Sequence, residues 1–216
     1  MGKQAFFRFL TGGALLFLLC ACTGTDQDPP QQPSLSVEVS QLQPGQSVTR
    51  DNVTFTMLQK SAGVADRDGW FLARGAGGAI SVLFPAKFSE GLSSTKATDG
   101  AVITVHTLGA SADNGIRLLL NCFERSDSRF PAGATESTVK GLESRSQRFR
   151  SQPFSRDTIS GIEFRGVYEN GADFAGQAFT TSRYLCEFMA EFPTADWETM
   201  PAVVRRSLDS VRIRQR

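Results

Sequence analysis

Apolar and polar residues alternate along much of the chain. Leu35, Val37 and Val39 alternate with Ser34, Ser36 and Glu38, which predicts a half-buried strand from Leu35 to Leu42. Pro44-Gly45 breaks the run, and Val53, Phe55, Met57 and Gln59 resume it as a second strand. Trp70-Phe71-Leu72 begins a third. Ile80 to Phe84 forms a fourth, ended by Pro85, and Gly75 to Gly78 reads as a flexible bend between the two.

Later segments come in pairs. Ala101 to Leu108 and Ile116 to Phe123 flank Asp113-Asn114-Gly115, and Ile159 to Glu169 and Gln177 to Phe192 flank Asn170-Gly171. Asn-Gly tolerates positive φ at both turn centres, so each pair predicts a β-hairpin. Val139, Leu142 and Phe149 have helical spacing among charged residues. A last helix is clearer: Thr194 can cap it, and Asp196 and Glu198 suit its positive end. Its apolar stripe is Trp197, Met200 or Pro201, Val204, Leu208 and Val211. Pro201 means either that the first turn is separate or that the helix begins there. Strands outnumber helices, so the expected fold class is α+β: an antiparallel sheet with a few packed helices, one closing the chain.

The amino terminus departs from this patterning. Lys3 and Arg8 precede a largely apolar stretch from Phe9 to Leu19, too short to span a bilayer, which needs about 20 residues. Leu19-Cys20-Ala21-Cys22 follows and resembles the lipobox of bacterial lipoproteins. The resemblance implies a signal peptide over residues 1–21, cleavage after Ala21, and lipidation of Cys22, with palmitate among the acyl chains. The expected location is the cell or outer membrane, facing the periplasm or the exterior. Residues 22–34 hold Pro29, Pro30 and Pro33 and no apolar period, so they read as a tether of roughly 30–40 Å at about 3.1 Å per residue. Residues 35–216 form one globular domain.

Composition narrows the partners. Hydrophobic residues make up 40% and charged residues 21% of the 216-residue chain, which is globular. The formal charge is +1, and loss of Lys3 and Arg8 makes it −1, which gives nucleic acid no electrostatic handle.

A second resemblance covers residues 70–213. It comprises the run ending in Phe84-Pro85, a strand such as Leu118 to Phe123, a helix, and Gly161-Ile162-Glu163-Phe164. Tyr184 to Pro193, a helix and Ser207-Leu208-Asp209-Ser210-Val211 complete it. In order and spacing these resemble the PsbP/Mog1-like domains. The resemblance implies a fold and, by analogy alone, an accessory or protein-binding role.

Candidate chemistry is sparse. Cys122 and Cys186 alternate with core residues and are either a disulfide pair or two buried thiols. His106 is the only histidine and reads as an edge or surface strand residue. Asp66-Arg67-Asp68-Gly69 resembles a calcium loop, but Gly77 stands where the closing Glu belongs, so a surface turn is expected. Gly75 to Gly78 lacks the lysine and helix of a phosphate loop. The arginines at 145, 148, 150 and 156, and at 205, 206, 212, 214 and 216, have acidic neighbours and read as solvated faces, the second group being able to touch anionic lipid. No catalytic set, metal site or cofactor is expected. The chain reads as a non-catalytic binding or accessory module of the cell envelope, with membrane and envelope protein as partners. The alternative is a small-ligand receptor or enzyme with a pocket near His106, Glu163 or Glu187.

Overall fold

Alternation buries one side of a strand, and in this chain it builds a sheet wide enough to be covered on both faces. The computed structural model describes residues 41–50, 53–97, 99–193 and 197–214. The expected signal segment, Cys22, the expected tether, Thr194, Asp196 and Arg216 lie outside the described residues. So does the strand expected from Leu35, except for Gln41 and Leu42, which are not in a strand.

The strands are β1 (Ser47–Arg50), β2 (Val53–Ala62), β3 (Phe71–Gly75), β4 (Ile80–Phe84), β5 (Phe88–Lys96), β6 (Val102–Ser111) and β7 (Arg117–Arg125). Helix α1 (Ala134–Glu143) follows, then β8 (Ser146–Arg156), β9 (Ile159–Tyr168), β10 (Asp173–Thr180) and β11 (Tyr184–Phe192). Helix α2 (Ala202–Asp209) and β12 (Arg212–Ile213) close the chain. The main sheet has nine strands in the order β1-β2-β5-β6-β7-β11-β10-β9-β8, every neighbouring pair antiparallel. A second sheet, β12-β4-β3, folds over one face of the first. Among the described residues the fold is therefore mostly antiparallel sheet with two helices, one of them C-terminal.

Between the layers, Phe84, Val82 and Ile80 of β4 meet Leu118, Leu120, Phe179 and Phe188 of the large sheet, with Val204 and Leu208 of α2. On the opposite face Val139 and Leu142 of α1 pack on Phe164, Phe174 and Met189. Gly166 makes room there, because a Cβ at that position would enter the Phe174 ring.

Three hairpins turn alike. The β5–β6, β6–β7 and β9–β10 loops end in Gly100, Gly115 and Gly171, with φ +87°, +83° and +82°. The preceding Asp99, Asn114 and Asn170 each accept the backbone N–H two residues on, at 3.1, 3.3 and 3.1 Å. Among the described loop residues only the glycine takes positive φ, so the two Asn-Gly loops are three-residue loops rather than the tight turns expected, and the Asp99-Gly100 loop, not expected from the sequence, turns with them.

Three expectations change and one open choice, at Pro201, is resolved. The arm from Gln177 to Phe192 is two strands, split by a turn in which Thr181 N–H donates to Tyr184 O at 2.7 Å. Phe149 lies on β8, not on the helix, because α1 ends at Glu143. Trp197 precedes α2, which starts after Pro201 (φ −55°, ψ 134°), so the helix begins at the proline. His106 belongs to β6, an interior strand, and its side chain is 16% exposed, so it is neither edge nor surface.

Candidate functional site

Glu163, one of the sequence candidates, lies on the β4-covered face of β9, at the margin where α2 crosses the sheet. Arg205 on α2 grips its carboxylate with two donors, Nη1 to Oε2 at 2.7 Å and Nη2 to Oε1 at 2.9 Å. Gln177 Nε2, opposite Glu163 on β10, donates to the same Oε2 at 3.1 Å. Burial alone would raise the Glu163 pKa, but these donors outweigh it and hold the carboxylate below its ordinary value. Arg156 extends the network to Asp209 Oδ1 at 2.8 Å and Leu208 O at 2.9 Å.

Beside this fork opens a cavity of about 380 Å³, lined by Arg150, Glu163, Arg165, Glu198, Met200 and Arg205 among others. The Trp197 ring has two guanidiniums near it, Arg150 at 5.5 Å and Arg165 at 5.1 Å from its centre. Arg150 also reaches Glu198 at 2.9 Å, and Arg165 donates to Thr199 O at 2.9 Å. The cavity thus holds buried Arg165 and the mostly buried Glu163 carboxylate, but the acid is ionised and already engaged.

The other two candidates lie elsewhere. His106 Nε2 stands 3.1 Å from Glu124 Oε2, and Arg183 Nε donates to Glu124 Oε1 at 2.7 Å. Burial raises the Glu124 pKa, and the hydrogen bonds from His106 and Arg183 more than reverse it. Four strand spacings, about 19 Å, separate His106 on β6 from Glu163 on β9. Glu187 points to the opposite face, where Asn121 is its cross-strand neighbour and accepts a 2.8 Å bond from Thr107. Burial pushes the Glu187 carboxyl up to about 7, with Arg145 pulling the other way.

Cys122 and Cys186 face each other across β7 and β11 and are joined in a disulfide, both fully buried. Asp66 forms the expected surface turn, its Oδ1 accepting N–H groups of Asp68 and Trp70 at 2.9 and 2.8 Å. Gly75 to Gly78 is a short 3₁₀ bend between β3 and β4. A wider groove of about 980 Å³ runs between the loop before α1 and the β8–β9 end, with Phe130, Phe154 and Ile162 in its walls. Among the described residues no group of three or more His, Cys, Asp or Glu could hold a metal, and no helix is long and apolar enough to cross a membrane.

From the sequence Arg205, which grips Glu163, reads as part of a solvated face and Trp197 as part of a helix stripe, and Arg165 carries no expectation. Their separation along the chain gives no signal, and only the strand order and the α2 crossing bring them together. Comparison of the chain with protein-family models, with curated proteins and with solved structures returns no match.

Proposed function

We propose that the chain is a lipid-anchored, non-catalytic binding or accessory module of a bacterial cell envelope, built on a PsbP/Mog1-like fold. One observation carries the non-catalytic reading: His106, Glu163 and Glu187 do not converge. Glu163 is gripped by Arg205, His106 is paired with Glu124, and Glu187 stands on the other face, so no reacting atom could touch two of them. The lipobox supports the anchor, with lipid on Cys22 holding the domain at the cell or outer membrane outside the cytoplasm. The run of the long strand β11, a proline-bearing stretch of sequence, helix α2 and a Ser-rich turn supports the fold assignment.

The test is intact mass and membrane fractionation of wild type and Cys22→Ala expressed in a bacterial host. The expected result is a wild-type chain that begins at a lipid-modified Cys22 and fractionates with membranes, with the variant lacking the modification. An unmodified wild-type chain would overturn the anchor. Chemical crosslinking of the anchored form is then expected to capture an envelope protein.

A second reading, a small-ligand receptor, is favoured by the 380 Å³ cavity alone. It requires a ligand that opens the Glu163–Arg205 fork. Saturable binding of a small carboxylate or amine that is lost in Arg205→Ala would select it over the accessory role.

A further inference from the structure

The three-stranded sheet turns Phe71, Ala73, Ile80, Val82 and Phe84 inward and leaves a second, unlike face outward. The bridge between Ala65 and Phe71 sets Val64 opposite Leu72, and Leu72 pairs with Leu83 on β4. Val64 is 91% and Leu72 46% exposed, so an aliphatic row crosses this outer face. One step along the strands stands a basic row, Arg74–Ser81–Arg212. Trp70, just before β3, carries the Arg206 guanidinium 4.3 Å from its ring centre.

Arginines outnumber acids around the row, with Arg67, Arg74, Arg206, Arg212 and Arg214 against Asp66, Asp68 and Asp157. Asp68 reaches Arg206 at 3.5 Å and Asp157 reaches Arg212 at 3.4 Å. Exposed Arg67 and Arg74 have no acidic partner among the described residues, and exposed Arg214 extends the basic edge. Arginines thus outnumber acids around exposed aliphatics and an indole, although the chain as a whole is near-neutral.

The geometry points to this face as a resting surface for an anionic phospholipid layer. Each part has a role there. Guanidiniums match lipid phosphates, an indole with a polar edge settles at headgroup depth, and Val64 and Leu72 enter the acyl boundary. The inference rests on the membrane-anchored reading, because a tethered domain would meet this layer at high local concentration.

The test uses the full chain bearing Trp197→Phe, which leaves Trp70 as the sole indole. It is reconstituted into phosphatidylcholine vesicles with brominated acyl chains, with and without about one-third phosphatidylglycerol. Trp70 quenching is expected to be about twofold or more greater on the anionic vesicles, to weaken as salt is raised, and to be lost in the Arg67→Glu, Arg74→Glu double variant. Equal quenching on both vesicles, or quenching that survives charge reversal, overturns the proposal. If Trp197→Phe unfolds, the comparison of wild type with the double variant reads the same difference. The mass of the same sample separates the two claims. A lipidated chain without charge-dependent quenching sinks this face alone, whereas an unmodified chain that keeps the quenching sinks the anchor alone.

Discussion

Glu187 is the residue whose chemistry the fold alters most. It sits 5% exposed on β11 between Asn121 and Ala178, and burial lifts its pKa from 4.5 to about 7. Between those values the folded chain binds a proton that the unfolded chain has released. Stability must therefore fall as pH rises through this window and level off above it. Burial also raises Glu90, Glu191 and Asp173, which act in the same direction. Glu187→Gln keeps the shape without the titration and should be about 2–3 kcal/mol more stable than wild type at pH 8, with little difference at pH 4.5. Urea midpoints across that range check it, and parallel curves for the two proteins would refute the assignment.

At the level of elements, α2 shows what holds a helix too short to persist alone. Val204 and Leu208 are fully buried against the sheets, while its Arg205 fork to Glu163 is partly exposed and contributes about 1 kcal/mol or less. Leu208→Ala should therefore cost about 2–4 kcal/mol in chemical denaturation, well above the loss from Arg205→Ala. Comparable losses would mean that the ion pair anchors the helix.

This helix was legible in the sequence because one stripe of it is apolar, as were β2 and β4, whose alternate residues are buried. The strand β5 was not. Ser89, Gly91, Ser93, Ser94 and Thr95 give it no apolar period, and it is held by ladders to β2 and β6, with the Phe55 ring filling the space a side chain at Gly91 would need. In β10 and β11 both faces are covered, so alternation vanishes and the turn between them leaves no trace. Glu163 was visible as a candidate, but Arg165, Trp197 and Arg205 were not, because strand order cannot be read from one strand at a time. The interior placement of His106 was hidden for the same reason.

Across the whole molecule the large sheet divides into two meanders. Strands β1, β2, β5, β6 and β7 form one and β8 to β11 the other, and β7 against β11 is the seam. The Cys122–Cys186 disulfide lies on that seam and closes a separation of 64 residues. The chain-entropy estimate for such a loop is about 4 kcal/mol, so reduction or the Cys122→Ala, Cys186→Ala double variant should lower stability by that order. Denaturant midpoints with and without reductant measure it. A shift under about 1 kcal/mol would mean that the unfolded chain is already constrained without the bridge.

The seam also sets an order of events in time. Within each meander strands meet across short turns, apart from β2 and β5, between which β3 and β4 intervene, and three of the turns are closed by the same Asx-Gly loop, so those contacts are local and quick to form. Pairing of β7 with β11 must instead bring together segments far apart in the chain, and such non-local closure is the slow step of a high-contact-order fold. Each half can thus gain its hairpins while the seam is still open, with both thiols exposed until the halves dock. Oxidation would then seal a docking already made, and the bridge would act chiefly on how long the folded protein lasts rather than on how fast it arrives.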